Sequence, residues 1–167
     1  MPESVSLDAV AEAAAREVEG AFPGVRVERS SGLPEAPGSS ALLRRALANL
    51  LRNAVEATPP ERRAERDAVV LSGQEREGEI VLSVGDRGKG VEPGQREKIF
   101  LPFYSTKEEG AGLGLAVVAR IAELHGGSVE VNGRPGGGAL FTLRLSSGGG
   151  SAAPPSSGRV PSSPAGS

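Results

Sequence analysis

The sequence contains no cysteine and no tryptophan, and only one methionine, one tyrosine, four phenylalanines and one histidine among 167 residues. Without cysteine there is no disulfide to staple the fold, and no thiolate to ligate a metal or attack a substrate. With aromatics at 3%, the core has to be built from Leu, Val, Ile and Ala. No apolar run is long enough to span a bilayer, and the opening MPESVSLDAV lacks the basic-then-apolar order of a signal peptide. Neither sign of charge dominates: 19 Lys and Arg stand against 21 Asp and Glu, interspersed, for a formal net charge of -2. That leaves no basic stripe for nucleic acid or an anionic membrane. These absences make a cytoplasmic protein the expectation and leave the partner to be read from a site.

Glycine and proline, by contrast, are abundant, at 24 and 13. From Ser146 the chain reads SSGGGSAAPPSSGRVPSSPAGS, too poor in apolar surface to offset the entropy of ordering it. The expected organisation is one folded domain over 1–145 followed by a disordered tail over 146–167. Ser30 to Gly38 (SSGLPEAPG) reads as a loop.

Within 1–145 the periodicities predict a helix over Ser6–Ala21, with Ser6 as cap and Leu7, Val10, Ala14 and Val18 on one face. A short strand follows at Val25–Arg29. The strongest helix is Ser40–Ala57, where Leu43, Leu47, Leu50, Leu51 and Ala54 form an apolar arc that Pro59-Pro60 ends. Two alternating segments, Ala68–Gln74 and Glu79–Val84, predict a hairpin. A glycine-rich stretch from Gly85 to Gly114 opens into a helix closed by Gly126-Gly127, and Ser128–Asn132 with Ala139–Leu145 predicts a second hairpin. This order suggests an α/β (α+β) two-layer sandwich, a mixed sheet of about five strands with three helices on one face.

Chemistry is suggested by four segments. On the second helix Asn49, Asn53 and Glu56 follow an i, i+4, i+7 spacing, which confines them to a wedge of roughly 60°. A polar stripe can simply face solvent, but Asn is a poor helix former, and two on one face cost stability unless their amides bind something. An amide oxygen is a neutral hard donor suited to Mg²⁺ already neutralised by phosphates. Asp86-Arg87-Gly88-Lys89-Gly90 directly follows a strand; it is either a tight turn or an acceptor carboxylate beside glycines that admit a flat ligand. Gly110-Ala111-Gly112-Leu113-Gly114-Leu115 runs into a helix, where bare amides and the helix dipole favour an anion. It lacks the Gly-Lys-Ser/Thr of a Walker loop. Finally, Ile99–Lys107 (IFLPFYSTK) gathers three aromatics beside a lysine and reads either as a lid or docking surface or as local packing.

In this order the four segments resemble one family, the sensor histidine kinases, and behind them the Bergerat-fold ATPases that include gyrase, heat-shock chaperone and mismatch-repair proteins. NLLRNAVEA looks like the N box, DRGKG the first glycine box, IFLPF the F box and GAGLGL the second glycine box. AELHGGSVEV and GGGALFTLRL are similar to the strand-forming end of that domain, so the resemblance spans Ser6 to Leu145. PFYSTK close before GLGL looks most like the nitrogen-regulatory class. The resemblance implies a Bergerat fold and Mg-ATP as bound cofactor, with Asn53 on Mg²⁺, Asn49 near the phosphates and Lys107 adding charge to the triphosphate. It implies Asp86 on the adenine amino group, Gly88 and Gly90 beside the base, Gly112 and Gly114 offering amides to phosphate, and Phe100 and Phe103 anchoring a lid. Glu56, Thr106, Gly110, Leu113 and Leu115 complete the implied nucleotide-contacting set.

The implied activity is transfer of the γ-phosphoryl group to a histidine on a dimerisation domain, in cis or in trans, with a response regulator receiver domain downstream. No nucleic acid or direct membrane contact is implied, and the isolated domain is expected to be a monomer. Two departures stand out. Many relatives carry Thr near the adenine where this chain has Ala139 and Leu140, and the helical hairpin with its acceptor histidine is absent. The only histidine, His125, precedes Gly126-Gly127 at a helix end, a position that helix capping explains. Rival readings are a stand-alone protein-serine kinase of the anti-sigma-factor type, an ATP-hydrolysing switch, and a degenerate ATP sensor. Hydrolysis is disfavoured because Asn49 stands where the gyrase and chaperone relatives have their water-activating glutamate, and an amide cannot take a proton.

Overall fold

The computed structural model describes residues 3–104 and 114–148. In chain order its elements are β1 (Glu3–Ser6), α1 (Leu7–Ala21), β2 (Val27–Arg29), β3 (Glu35–Gly38), α2 (Ser40–Ala57), β4 (Val69–Arg76), β5 (Glu79–Gly85), α3 (Gly114–Leu124), β6 (Ser128–Gly133) and β7 (Ala139–Ser146). Short 3₁₀ turns lie at Pro60–Arg62, Pro93–Gln95 and Lys98–Phe100.

Five strands form one mixed sheet in the order β2-β4-β5-β7-β6, in which β2 and β4 are parallel and the other pairs antiparallel. Alternation decides which face is buried. Cross-strand partners Ile80 with Leu145, Leu82 with Leu143 and Val84 with Phe141 are all buried. The opposite face carries charge, with Arg144 bonded to Glu79 at 3.3 Å and Glu130 at 3.2 Å. Helices cover only the apolar face: α2 packs over β4 and β5, α3 over β6 and β7, and α1 lies against α2. The two layers and the mixed five-stranded sheet agree with the fold class expected from the sequence.

The leucine arc of α2 is the centre of this core, with Leu43, Leu47, Leu50, Leu51 and Ala54 no more than 1% exposed. Burial of a leucine side chain stabilises by about 2 kcal/mol, so this one helix anchors the layer. Both ends are set locally. The Ser39 hydroxyl accepts from Leu42 N at 3.1 Å, and the helix stops at Thr58 before Pro59-Pro60. The β4–β5 hairpin turns at Glu77 and Gly78, both with positive φ, as a two-residue hairpin demands.

Two regions differ from the sequence expectation. Residues 35–38, read as loop, pair antiparallel with an unexpected N-terminal strand, Glu3–Ser6, forming a separate two-stranded sheet. Val5 and Ala36 are buried in it, and Pro37 is tolerated because a two-stranded sheet consists only of edges. At the other end β7 runs through Ser146, and Ser147 N donates to Gly78 O at 2.9 Å. The expected tail beyond residue 148 lies outside the described residues.

Candidate functional site

Asp86 sits at the end of β5, 1% exposed. Its Oδ1 accepts from Gly88 N at 2.8 Å and from Ala139 N at 3.0 Å. Its Oδ2 is buried and has no hydrogen-bond partner among the described residues. A buried acceptor left unmet costs about 1–3 kcal/mol, so one half of this carboxylate is satisfied by the fold and the other is left for a donor. Burial pushes the Asp86 carboxyl above the usual carboxylate range, opposed by the Gly88 and Ala139 amides and by the charge of Arg134.

The loop around Asp86 is held by contacts made possible by small residues. A Cβ at Gly88 would lie 2.5 Å from Ala57 O, so this glycine admits the last turn of α2. A Cβ at Gly138 would lie 1.9 Å from Asp86 O, and Gly138 has φ +108, a conformation in which other residues are strained. Gly90, with φ +81, faces Gly138 O across the same loop. Thr58 is fully buried, and its hydroxyl donates to Ala54 O at 2.9 Å and accepts from Arg87 N at 3.2 Å. The end of α2 is thereby coupled to the residue after Asp86.

The polar stripe of α2 runs towards the start of α3. Asn49 Nδ2 donates to Gly114 O at 3.1 Å; Asn53 is half-buried and Glu56 exposed. Gly114 is the first residue of α3 and Leu115 is half-buried, so the asparagine stripe and an N-terminal helix end border one region. Phe100 meets Phe141 edge-to-face, with ring centroids 6.1 Å apart at 82°. Phe103 is 75% exposed with φ 66. Thr106, Lys107, Gly110, Gly112 and Leu113 lie outside the described residues. Among the described residues no three acidic or histidine side chains converge as a metal cage. The Asn53 side chain offers a neutral hard amide oxygen, a donor that fits a divalent ion whose charge is met by phosphate.

His125 is not near these groups. Its Nδ1 lies 2.8 Å from Ile121 O, and its Nε2 accepts from Ser39 N at 3.1 Å, so the ring bonds the last turn of α3 to the cap of α2. A groove lined by Glu19, Val25, Val27 and Arg29 flanks β2. Two of its charged lining groups already pair with each other, Arg29 Nη1 with Glu19 at 3.1 Å.

Thr58, Arg87 and Arg134 also belong to this site, although the sequence alone gives them no role. Arg87 donates to Gly137 O at 3.0 Å and to Asp67 at 2.7 Å, and Arg134 donates to Asp86 O at 3.0 Å. Only the adjacency of Arg87 to Asp86 could have signalled any of them, since the other contacts span tens of residues.

The Histidine kinase-, DNA gyrase B-, and HSP90-like ATPase family matches residues 38–148. The chain belongs to this family. It is 39% identical over 121 residues to the sensor histidine kinase ZraS of Escherichia coli O157:H7, an alignment covering 72% of this chain and 25% of ZraS. The fold superposes on the mycobacterial sensor histidine kinase MprB with a TM-score of 0.77 and 28% identity, covering 87% of this chain and 97% of that one. It superposes on full-length ShkA, solved in complex with AMPPNP, with a TM-score of 0.72 and 32% identity, covering 86% of this chain and 30% of that one. The chain is thus a histidine-kinase-type ATP-binding catalytic domain and spans about a quarter of the ZraS length. No helix among the described residues is long and apolar enough to cross a membrane.

Proposed function

We propose that this domain binds Mg-ATP with the adenine amino group on Asp86 and transfers the γ-phosphoryl group to a histidine on a dimerisation domain, in cis or in trans. The observation that carries the reading is the divided Asp86 carboxylate, with Oδ1 bonded to two backbone amides and Oδ2 buried without a partner. A carboxylate offers only acceptors, which match an adenine amine and oppose a guanine carbonyl. Asn49, bonded to Gly114 O at the start of α3, and Asn53, one turn further along α2, would meet the phosphates in this proposal, where the helix dipole favours an anion. Bound at Asn53, Mg²⁺ would supply charge neutralisation for the transferring group. Lys107, Thr106, Gly110, Gly112 and Leu113 complete the phosphate contacts in this proposal, Leu115 lines the site, Glu56 borders it, and Phe100 anchors the segment that closes over it. Catalysis then comes from positioning and electrostatics. A response regulator receiver domain takes the phosphoryl group onward, and the reaction belongs to the cytoplasm, where ATP is supplied. Calorimetric titration with ATP and GTP tests the assignment: ATP should bind at least about ten-fold more tightly, and Asp86→Asn should abolish the preference. Equal affinity for the two nucleotides would sink it.

A further inference from the structure

Asp86 is held from behind as well as from the side. Arg134, on the turn between β6 and β7, sends Nη1 to Asp86 O at 3.0 Å and to Ala68 O at 3.3 Å, and Nη2 to Asp67 O at 2.9 Å. Three carbonyls from two chain segments thus share one guanidinium, whose planar fork suits such bridging. The surrounding sequence makes room for it. A Cβ at Gly85 would lie 2.9 Å from Arg134 Nε, so a side chain there would displace the guanidinium. The turn itself closes with Arg134 N on Gly138 O and Gly137 N on Arg134 O, each at 2.9 Å. Its neighbour Arg87 has a carboxylate partner in Asp67, whereas the three bonds of Arg134 go to main-chain carbonyls.

We propose that Arg134 is the positioning residue of the adenine site: it fixes the Asp86 backbone and supplies the positive charge behind its carboxylate. The proposal rests on the reading of Asp86 as the adenine acceptor. Arg134 acts through Asp86 and has no assigned contact with nucleotide. The charged groups around the pair are Arg87, beside Asp86, Asp67 ahead of β4, and Glu28 on β2. Burial favours the protonated Asp86 carboxyl and the Arg134 charge opposes it. A protonated Asp86 would present a donor to the adenine amine, so losing Arg134 should weaken binding most on the acid side.

The test is the affinity of the whole chain for ATP, measured by calorimetry between about pH 8 and about pH 4, for the native protein, Arg134→Met, Arg134→Lys and Asp86→Asn. Arg134→Met should bind ATP on the order of ten-fold more weakly at neutral pH, and the midpoint of its acid-side loss should move to higher pH. Arg134→Lys, which keeps the charge and loses the fork, should restore the midpoint while leaving affinity below native. A native midpoint in folded Arg134→Met overturns the proposal even if affinity falls, because a merely structural arginine would lower affinity at every pH alike. If Arg134→Met does not fold, Arg134→Lys decides: a midpoint displaced from native despite the retained charge overturns the proposal. Asp86→Asn separates the two readings. If it binds ATP like the native chain, the adenine assignment itself fails. If it loses ATP while Arg134→Met behaves as native, only the role of Arg134 fails.

Discussion

Ser39 N donates a hydrogen bond to His125 Nε2 at 3.1 Å across 86 residues of sequence. With Nε2 accepting, the ring proton sits on Nδ1, aimed at Ile121 O 2.8 Å away. Halfway along α2, Asn49 bonds Gly114 O at the start of α3. The cap of α2 therefore meets the end of α3 while the middle of α2 meets its start, so the two helices run antiparallel and are clipped at two points.

This clip predicts a specific coupling. A Cβ at Gly38 would lie 2.2 Å from His125 Cδ2, so Gly38→Ala should destabilise the domain by about 1–3 kcal/mol through overpacking. His125→Ala should cost about 1–3 kcal/mol through the unmet Ser39 amide and the lost packing. In the double variant the new methyl has room, so its loss should be smaller than the sum of the two single losses. Urea denaturation of the four proteins measures this. Strict additivity would mean the ring and Gly38 are not in contact.

Thr58 predicts a second link between helix and site. Thr58→Val keeps the volume but removes the hydroxyl that serves Ala54 O and Arg87 N. We expect a loss of about 1–2 kcal/mol in stability, because Arg87 N is left without its partner. ATP affinity, read on the folded variant, should fall as well, because the loop carrying Asp86 loses its tie to α2. Unchanged affinity would show that the loop is held without this hydroxyl.

The local parts of this architecture were legible in the sequence. The Ser6 cap of α1, the leucines of α2 and Pro59-Pro60 act within a turn or two of helix, and Asp86 follows its strand directly, so periodicity and punctuation suffice. What escaped depends on chain returning from a distance. The short strand Glu3–Ser6 pairs with Glu35–Gly38, and neither segment has an alternation long enough to stand out. Arg134 looks like an ordinary turn residue until the turn folds onto Asp86, 48 residues away. The split of Asp86 into a satisfied and an unmet oxygen is likewise a tertiary fact, since the Ala139 amide comes from another strand.

Acidification should weaken ATP binding before the ordinary aspartate range is reached. Asp86 has its carboxyl raised by burial, and the proposed adenine contact needs the ionised form. ATP affinity is therefore full above the raised pKa and is lost as pH falls through it. The stability of the nucleotide-free fold has the opposite sign. A carboxyl whose pKa is raised in the folded state binds more protons there, so its contribution to stability falls as pH rises through the window between the unfolded and folded values. Calorimetry with ATP and melting curves without it check the two signs. A binding curve flat down to about pH 4 would contradict the raised Asp86.

Asn53→Ala should weaken Mg-ATP by about ten-fold or more while leaving nucleotide measured in chelator nearly unchanged, because the lost amide serves the ion. Asn49→Ala should have a smaller effect on the metal dependence, with a modest stability loss from the lost bond between α2 and the start of α3. Parallel titrations with and without Mg²⁺ distinguish the two. If both variants bind Mg-ATP as the native chain does, the stripe is only a helix face.

The purified chain should bind ATP yet fail to label itself with an acid-labile, alkali-stable phosphate. His125 is the only histidine and stands at the far end of the helix that opens beside the proposed phosphate site. At about 1.5 Å per residue from Gly114 it lies roughly 16 Å from that start, too far for in-line attack within one molecule. Both ring nitrogens are also engaged, Nδ1 with Ile121 O and Nε2 with Ser39 N, so neither is free as a nucleophile in the folded domain. Transfer to a separately supplied hairpin bearing the acceptor histidine should occur, but slowly, because without a covalent tether the second-order encounter replaces a high effective concentration. Labelling with γ-phosphate-tagged ATP, with and without the hairpin, followed by acid and alkali treatment of the product, reads both halves of the prediction. Rapid self-labelling lost on His125→Ala would mean that the helix end opens to reach the nucleotide. Acid-stable label on serine of an anti-sigma antagonist, with none on the hairpin, would assign the domain to a serine-directed kinase instead.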